Sequence, residues 1–172
     1  MIISLDRANP FDLKTYGSLG WAIEEQDEHS LALTELDLGK IQLVSMHQPG
    51  ETSLSRQGVL NRLKRSGHIR LDAKVLQILF ENKSLIPEAW KKLDDDDKIV
   101  AIFFDGTIFR TAEGHLCTLH LFWGHDAGWH WLPHRIDLDS GPNDVSATLP
   151  NLAGRLPGLT TAGGSLGGPP AS

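Results

Sequence analysis

The chain has 172 residues, 40% hydrophobic and 22% charged, with a formal net charge of −6. A chain of this size and composition can form one packed domain without covalent help. Its acidic balance argues against whole-surface attraction to nucleic acid or anionic lipid. With a single cysteine, Cys117, no internal disulfide can form. The first residues also lack a basic region ahead of a long apolar stretch, so a cytoplasmic protein is expected, with no membrane span.

The segment from Asn9 to Gly20 reads as a loop or short helix. Trp21 and Ile23 alternate with polar neighbours as in a short strand, and Glu24, Glu25, Asp27 and Glu28 read as a solvated acidic turn. Leu31 to Leu36 and Ile41 to Met46 are strand-like and flank Asp37-Leu38-Gly39-Lys40, the outline of an N-terminal antiparallel hairpin. After Pro49-Gly50, Ser53 or Ser55 can cap a helix carrying Val59, Leu60 and Leu63, which Gly67 ends. Asp72 caps a second helix, from Ala73 to about Asn82, with Leu71 and Leu76 as a hydrophobic staple. Val75, Leu76, Leu79 and Phe80 make its apolar face. Pro87 fits the first turn of a further short helix that presents Trp90.

Asp94 to Asp97, followed by Lys98, are too repulsive to bury and read as an exposed loop. They also spell an enteropeptidase site, with cleavage expected after Lys98. From Ile99 the pattern is all-β. Ile99 to Phe104 is apolar on both faces, as in a central strand. Asp105-Gly106 is a hairpin turn or a bulge, and Thr107 to Thr111, His115 to Trp123 and Trp129 to Leu132 continue a meander. Pro150 to Ser172 holds six glycines, four prolines and one charge. That composition cannot offset its ordering entropy and reads as a disordered tail. The expected fold is α+β: one domain over residues 1–149, with an antiparallel C-terminal meander packed against two or three helices, plus an N-terminal β-hairpin.

Several patterns bear on function. Asp105-Gly106-Thr107 after an apolar strand resembles the nucleophile strand of haloacid-dehalogenase phosphatases, but Phe103 stands where the nucleophile belongs, so that chemistry is not expected. Five histidines, His115, His120, His125, His130 and His134, lie near Cys117. His115 and Cys117 share a strand face, with His130 on the neighbouring strand. Cys117 and His120 point to opposite faces, and no close metal-ligand spacing occurs, so neither metal nor cofactor is expected. No nucleophile elbow, phosphate loop or dinucleotide fingerprint is present.

Trp123, Trp129 and Trp131, with His125 and His130, gather around the Gly124–Gly128 turn. Such rings either complete the core or form an anchor patch for a protein partner. The expectation adopted is the patch, with Trp129→Ala and Trp131→Ala remaining folded. A second expectation rests on Arg56, Arg62, Lys64, Arg65, Arg70 and Lys74. Against Asp72 alone they leave +5 on a helix–turn–helix outline, a possible nucleic-acid surface. An enzyme site assembled from distant His and Asp residues is the third reading.

His68-Ile-Arg-Leu-Asp-Ala-Lys-Val-Leu, Glu81-Asn82, Leu85-Ile-Pro-Glu-Ala-Trp-Lys91 and Ile102-Phe-Phe-Asp-Gly-Thr107 together resemble a group of short, uncharacterised bacterial proteins. The likeness extends over most of residues 20–148. It implies a bacterial or phage-related origin and carries no activity, ligand or site residue.

Overall fold

The computed structural model describes residues 1–91 and 99–150. The Asp94–Asp97 run, the cleavage expected after Lys98 and the Gly/Pro-rich tail from Asn151 onward lie outside the described residues. In chain order the elements are β1 (Ile2–Ser4), α1 (Leu13–Tyr16), β2 (Ala22–Gln26), α2 (Glu28–Leu31), β3 (Glu35–Asp37), β4 (Gln42–Val44) and β5 (Leu54–Ser55). There follow α3 (Arg56–Ser66), β6 (Ile69–Arg70), α4 (Ala73–Glu81), β7 (Ile102–Arg110), β8 (Leu116–Trp123), β9 (Trp129–Arg135), β10 (Asp139–Ser140) and β11 (Val145–Leu149). Short 3₁₀ turns occupy Leu38–Lys40, Lys83–Leu85 and Glu88–Trp90.

The class is α+β, as expected. A mixed sheet runs β4-β11-β7-β8-β9, with β2 also on β7 and β6 also on β11. The β7-β8-β9 part is the antiparallel meander, whereas β11 joins β7 in parallel. Because side chains alternate along a strand, β7 sends Ile102 and Phe104 to one face and Phe103 and Asp105 to the other. The first face, with Leu119, Leu121 and Ala147, meets Val75, Leu76 and Leu79 of α4 in the main core. The second receives α3, where Leu60 packs with Ile108 and Ile136.

The helix ends follow the local chemistry of their caps. Ser55 Oγ accepts from the Gly58 N–H, and Gly67, at φ 71°, ends α3 in the left-handed conformation that glycine tolerates. Asp72 Oδ1 accepts from the Lys74 and Val75 N–H groups, and both Leu71 and Leu76 are fully buried.

Two expectations need correction. The segments 31–36 and 41–46 do not pair with each other: β3 pairs with β1, and β4 pairs with β11 at the edge of the large sheet. The residues from Glu24 to Glu28 are not a solvated turn. Glu24 and Glu25 belong to β2, and Asp27 is a buried N-cap of α2.

Asp105-Gly106 lies within the continuous strand β7, where the pairing with β8 shifts register between Phe104 and Phe109. It is a bulge, and four elements, α2, α3, β6 and α4, are tied to it. Asp105 takes Arg56 from the start of α3, and its carbonyl accepts from Arg70 Nη1 at 3.2 Å. The Gly106 N–H donates to the Leu71 carbonyl at 2.9 Å, and its own carbonyl accepts from the Asp27 N–H at 2.7 Å. Thr107 Oγ1 accepts from the Ala73 N–H at 3.1 Å. A Cβ at position 106 would sit 2.2 Å from the Arg70 carbonyl oxygen, so only glycine fits. The Asp-Gly-Thr triplet is thus a structural crossing point.

Candidate functional site

The strand register decides where each aromatic and histidine side chain goes. Trp123 lies opposite Trp129 and Leu121 opposite Trp131, all on the face that carries α4. Phe122 lies opposite His130 and His120 opposite Leu132, on the other face. The five candidate contact residues therefore divide. Trp129 is 4% exposed and belongs to the core. Trp123 and Trp131 are half-buried at its margin, Trp123 edge-on to Trp129 at 5.4 Å and Trp131 against Tyr16 at 5.3 Å. His130 is turned away from them, stacked on Phe122 at 5.5 Å and bonded through Nε2 to Asp126. That hydrogen bond holds the Asp126 carboxyl below its ordinary range. His125 is exposed in the turn itself.

Burial places Trp129 in the core and not in an exposed patch, so Trp129→Ala is expected to cost stability as well as contact. Removing a sealed indole costs about 3–5 kcal/mol.

A cleft of about 470 Å³ opens beside this turn, between Trp123, Ala127 and Gly128 on one side and Lys83, Ser84 and Lys91 on the other. Lys91 Nζ stands 4.2 Å over the Trp123 ring and 2.8 Å from Glu88, so the indole is the floor of a charged rim. Ala127 has φ 58°, and among the described residues it is the one non-glycine residue with positive φ. An L-residue there costs about 1–2 kcal/mol relative to the right-handed region, and strain of that kind concentrates at sites of contact. A second cleft of about 570 Å³, floored by Leu38, Ile41, Leu85 and Trp90, adjoins the first and shares Ser84, Ile86 and Glu88 with it.

Among the described residues strand β9 is the last of the sheet, with β8 on one side. On it Leu132 is 51% exposed, and Pro133 is exposed next to it. Neither was singled out from the sequence, although a proline inside a strand already signals an edge position. Lys83, Lys91 and Ala127 carried no comparable sequence signal, because only the folded chain brings 83–91 beside 123–128.

The basic segment is largely matched by carboxylates. Arg56, fully buried, donates from Nε to Asp105 Oδ1 at 3.1 Å and from Nη2 to Asp105 Oδ2, where Ser146 Oγ also donates. Arg70, also buried, donates to Asp27 and Glu25. Arg62 pairs with Glu51, whose carboxyl it pulls down to about 2, and Lys64 pairs with Glu25. Arg65 remains on the surface. In α4 the residues Ala73, Val75, Leu76, Gln77 and Leu79 are buried, which leaves few side chains to read base edges.

The candidate ligands His115, Cys117 and His130 do not come together. Cys117 is sealed in the core, where burial pushes its thiol up to about 11, while His115 is exposed and His130 faces the opposite side of the sheet. Among the described residues no group of three or more His, Cys, Asp or Glu side chains could hold a metal ion. A polar cleft of about 460 Å³ near α2 is lined by Asp27, His29, Lys64, His68 and Arg70. Both Asp27 oxygens are occupied, Oδ1 by the His29 and Ser30 N–H groups and Oδ2 by Arg70, so this carboxylate is a clamp. Among the described residues, no helix is long and apolar enough to cross a membrane. No protein-family model, curated protein or solved structure matches the chain.

Proposed function

We propose that the protein is a non-enzymatic binding module that holds an extended segment of a partner protein at the Trp-bearing end of its sheet. The surface comprises the outer strand β9 and the cleft between the Gly124–Gly128 turn and residues 83–91. The observation that carries this reading is the presence of three features on the β8–β9 hairpin, with Leu132 on the sheet face opposite Trp123. These are a half-buried indole under a lysine rim, a strained turn residue beside it, and an outer strand whose Leu132 stands in solvent. Indole rings with one open side and sheet edges are both favoured by protein partners. Trp129, 4% exposed, lines this cleft and supports the surface from beneath.

The reading is tested by affinity capture with the intact protein, quantified by mass spectrometry, using wild type and Trp123→Ala as paired baits. A protein retained by wild type and depleted at least tenfold with the variant supports it. Identical capture by both baits, with the variant folded, removes it. Duplex DNA provides the contrast: binding that weakens steeply with salt and is lost in Arg65→Glu would favour the basic segment instead.

A further inference from the structure

The face of the sheet opposite α4 carries a polar group that no binding surface explains. Among the described residues, four buried side-chain atoms make no hydrogen bond: His47 Nδ1, His120 Nδ1, His134 Nε2 and Ser140 Oγ. Sealed polar atoms are almost always partnered, so four exceptions ask for a physical reason. His120 and His134 face each other with ring centres 6.1 Å apart, and both touch the Phe103 ring, at 4.9 and 5.4 Å. The Arg56 guanidinium stacks on that same ring at 3.6 Å, with the buried Asp105 carboxylate as its counter-charge. His47 approaches Ser140 from the chain beyond β4, bonding its carbonyl at 3.3 Å, and Ser140 in β10 pairs with Leu54 in β5. Strand β5 runs directly into Arg56, whose N–H donates to the Leu138 carbonyl.

We propose that this arrangement is an acid-operated latch, in which a proton taken from solvent by His120 loosens the Arg56–Asp105–Ser146 clasp. The β5–β10 ribbon and the first turn of α3 are thereby freed from the sheet. A charged imidazole here would sit beside Arg56 with the Asp105 carboxylate shared between them, and among the described residues Asp105 is the acid that acts on it. His134 comes from β9, and His130 lies beyond Phe122. Burial first, then His134 and Arg56, push the His120 imidazole down to about 3, against the pull of Asp105. Since the opened form has the ordinary value near 6.5, the closed latch keeps its full stability above about pH 6.5. It weakens as pH falls from there toward 3, by about tenfold per pH unit.

The test is amide hydrogen exchange on the full chain between pH 7.5 and 4.5, corrected for the intrinsic pH dependence of exchange. Wild type should lose about a hundredfold protection across residues 54–58 and 138–140 between pH 7.5 and 4.5, while α4 stays protected. His120→Phe, which can pack on Phe103, should flatten that response, and His120→Gln serves if the phenylalanine does not fold. Equal acid sensitivity in the variants, loss of α4 protection in step with the ribbon, or no response in wild type would each overturn the latch.

Discussion

The Asp105–Thr107 crossing and the Trp-bearing end of β8 and β9 lie in one sheet and are built on opposite principles. At the crossing, Arg56, Arg70, Leu71, Ala73 and Asp27 each direct a polar group at three consecutive residues, and nothing there faces solvent. At the other end, indoles are half open, a lysine stands over one of them, and the turn residue Ala127 is held in an unfavourable conformation. The first region converts side-chain chemistry into rigidity. The second leaves part of that chemistry available. A motif that looks catalytic on paper can therefore be a structural crossing point, while the proposed surface lies at a plain turn.

The sharpest way to break this contrast is at its rigid side. Gly106→Ala should destabilise by on the order of 5 kcal/mol, because the added methyl meets backbone that cannot retreat. Urea denaturation would show it, and a loss under about 1 kcal/mol would mean the crossing is loose. Asp105→Ala leaves the buried Arg56 charge without a partner and should cost about 3–5 kcal/mol.

The Trp pair separates the two roles within the open end. Trp129→Ala should lose about 3–5 kcal/mol, and Trp123→Ala clearly less, since its ring is only half covered. Equal losses would make both rings core. The smallest effect is expected at the turn. Ala127→Gly removes the left-handed penalty and should raise stability by about 0.5–1 kcal/mol in thermal unfolding, whereas a loss would show that the methyl packs usefully.

How far all this was legible in the sequence depends on how local each cause is. Ser55, Gly67 and Asp72 act within their own helix turns, and the helix boundaries followed from them. Asp27 looks solvated from its acidic neighbours, but Arg70, 43 positions away, closes over it. The N-terminal hairpin failed for the same reason. Its two segments look complementary, but their partners are β1 and β11, and residue patterns do not encode which distant strand wins. At the candidate site the aromatic clustering around the Gly124–Gly128 turn was visible. The separation of His130 from Trp129 and Trp131 required the register of β8 against β9, and the cleft required residues 83–91 to be placed beside the turn. The basic run was visible as charge, but its carboxylate partners, Glu25, Glu51 and Asp105, come from elsewhere in the chain.

The account stands on the outer strand being a contact surface that folding does not need. Leu132→Asp tests that most directly, because the side chain is already in solvent and its replacement should change stability by no more than about 0.5 kcal/mol. Measured side by side, the variant should unfold at the wild-type denaturant midpoint yet fail to retain the partner that wild type captures. Undiminished capture by a folded Leu132→Asp protein, or unfolding of the variant, would contradict it.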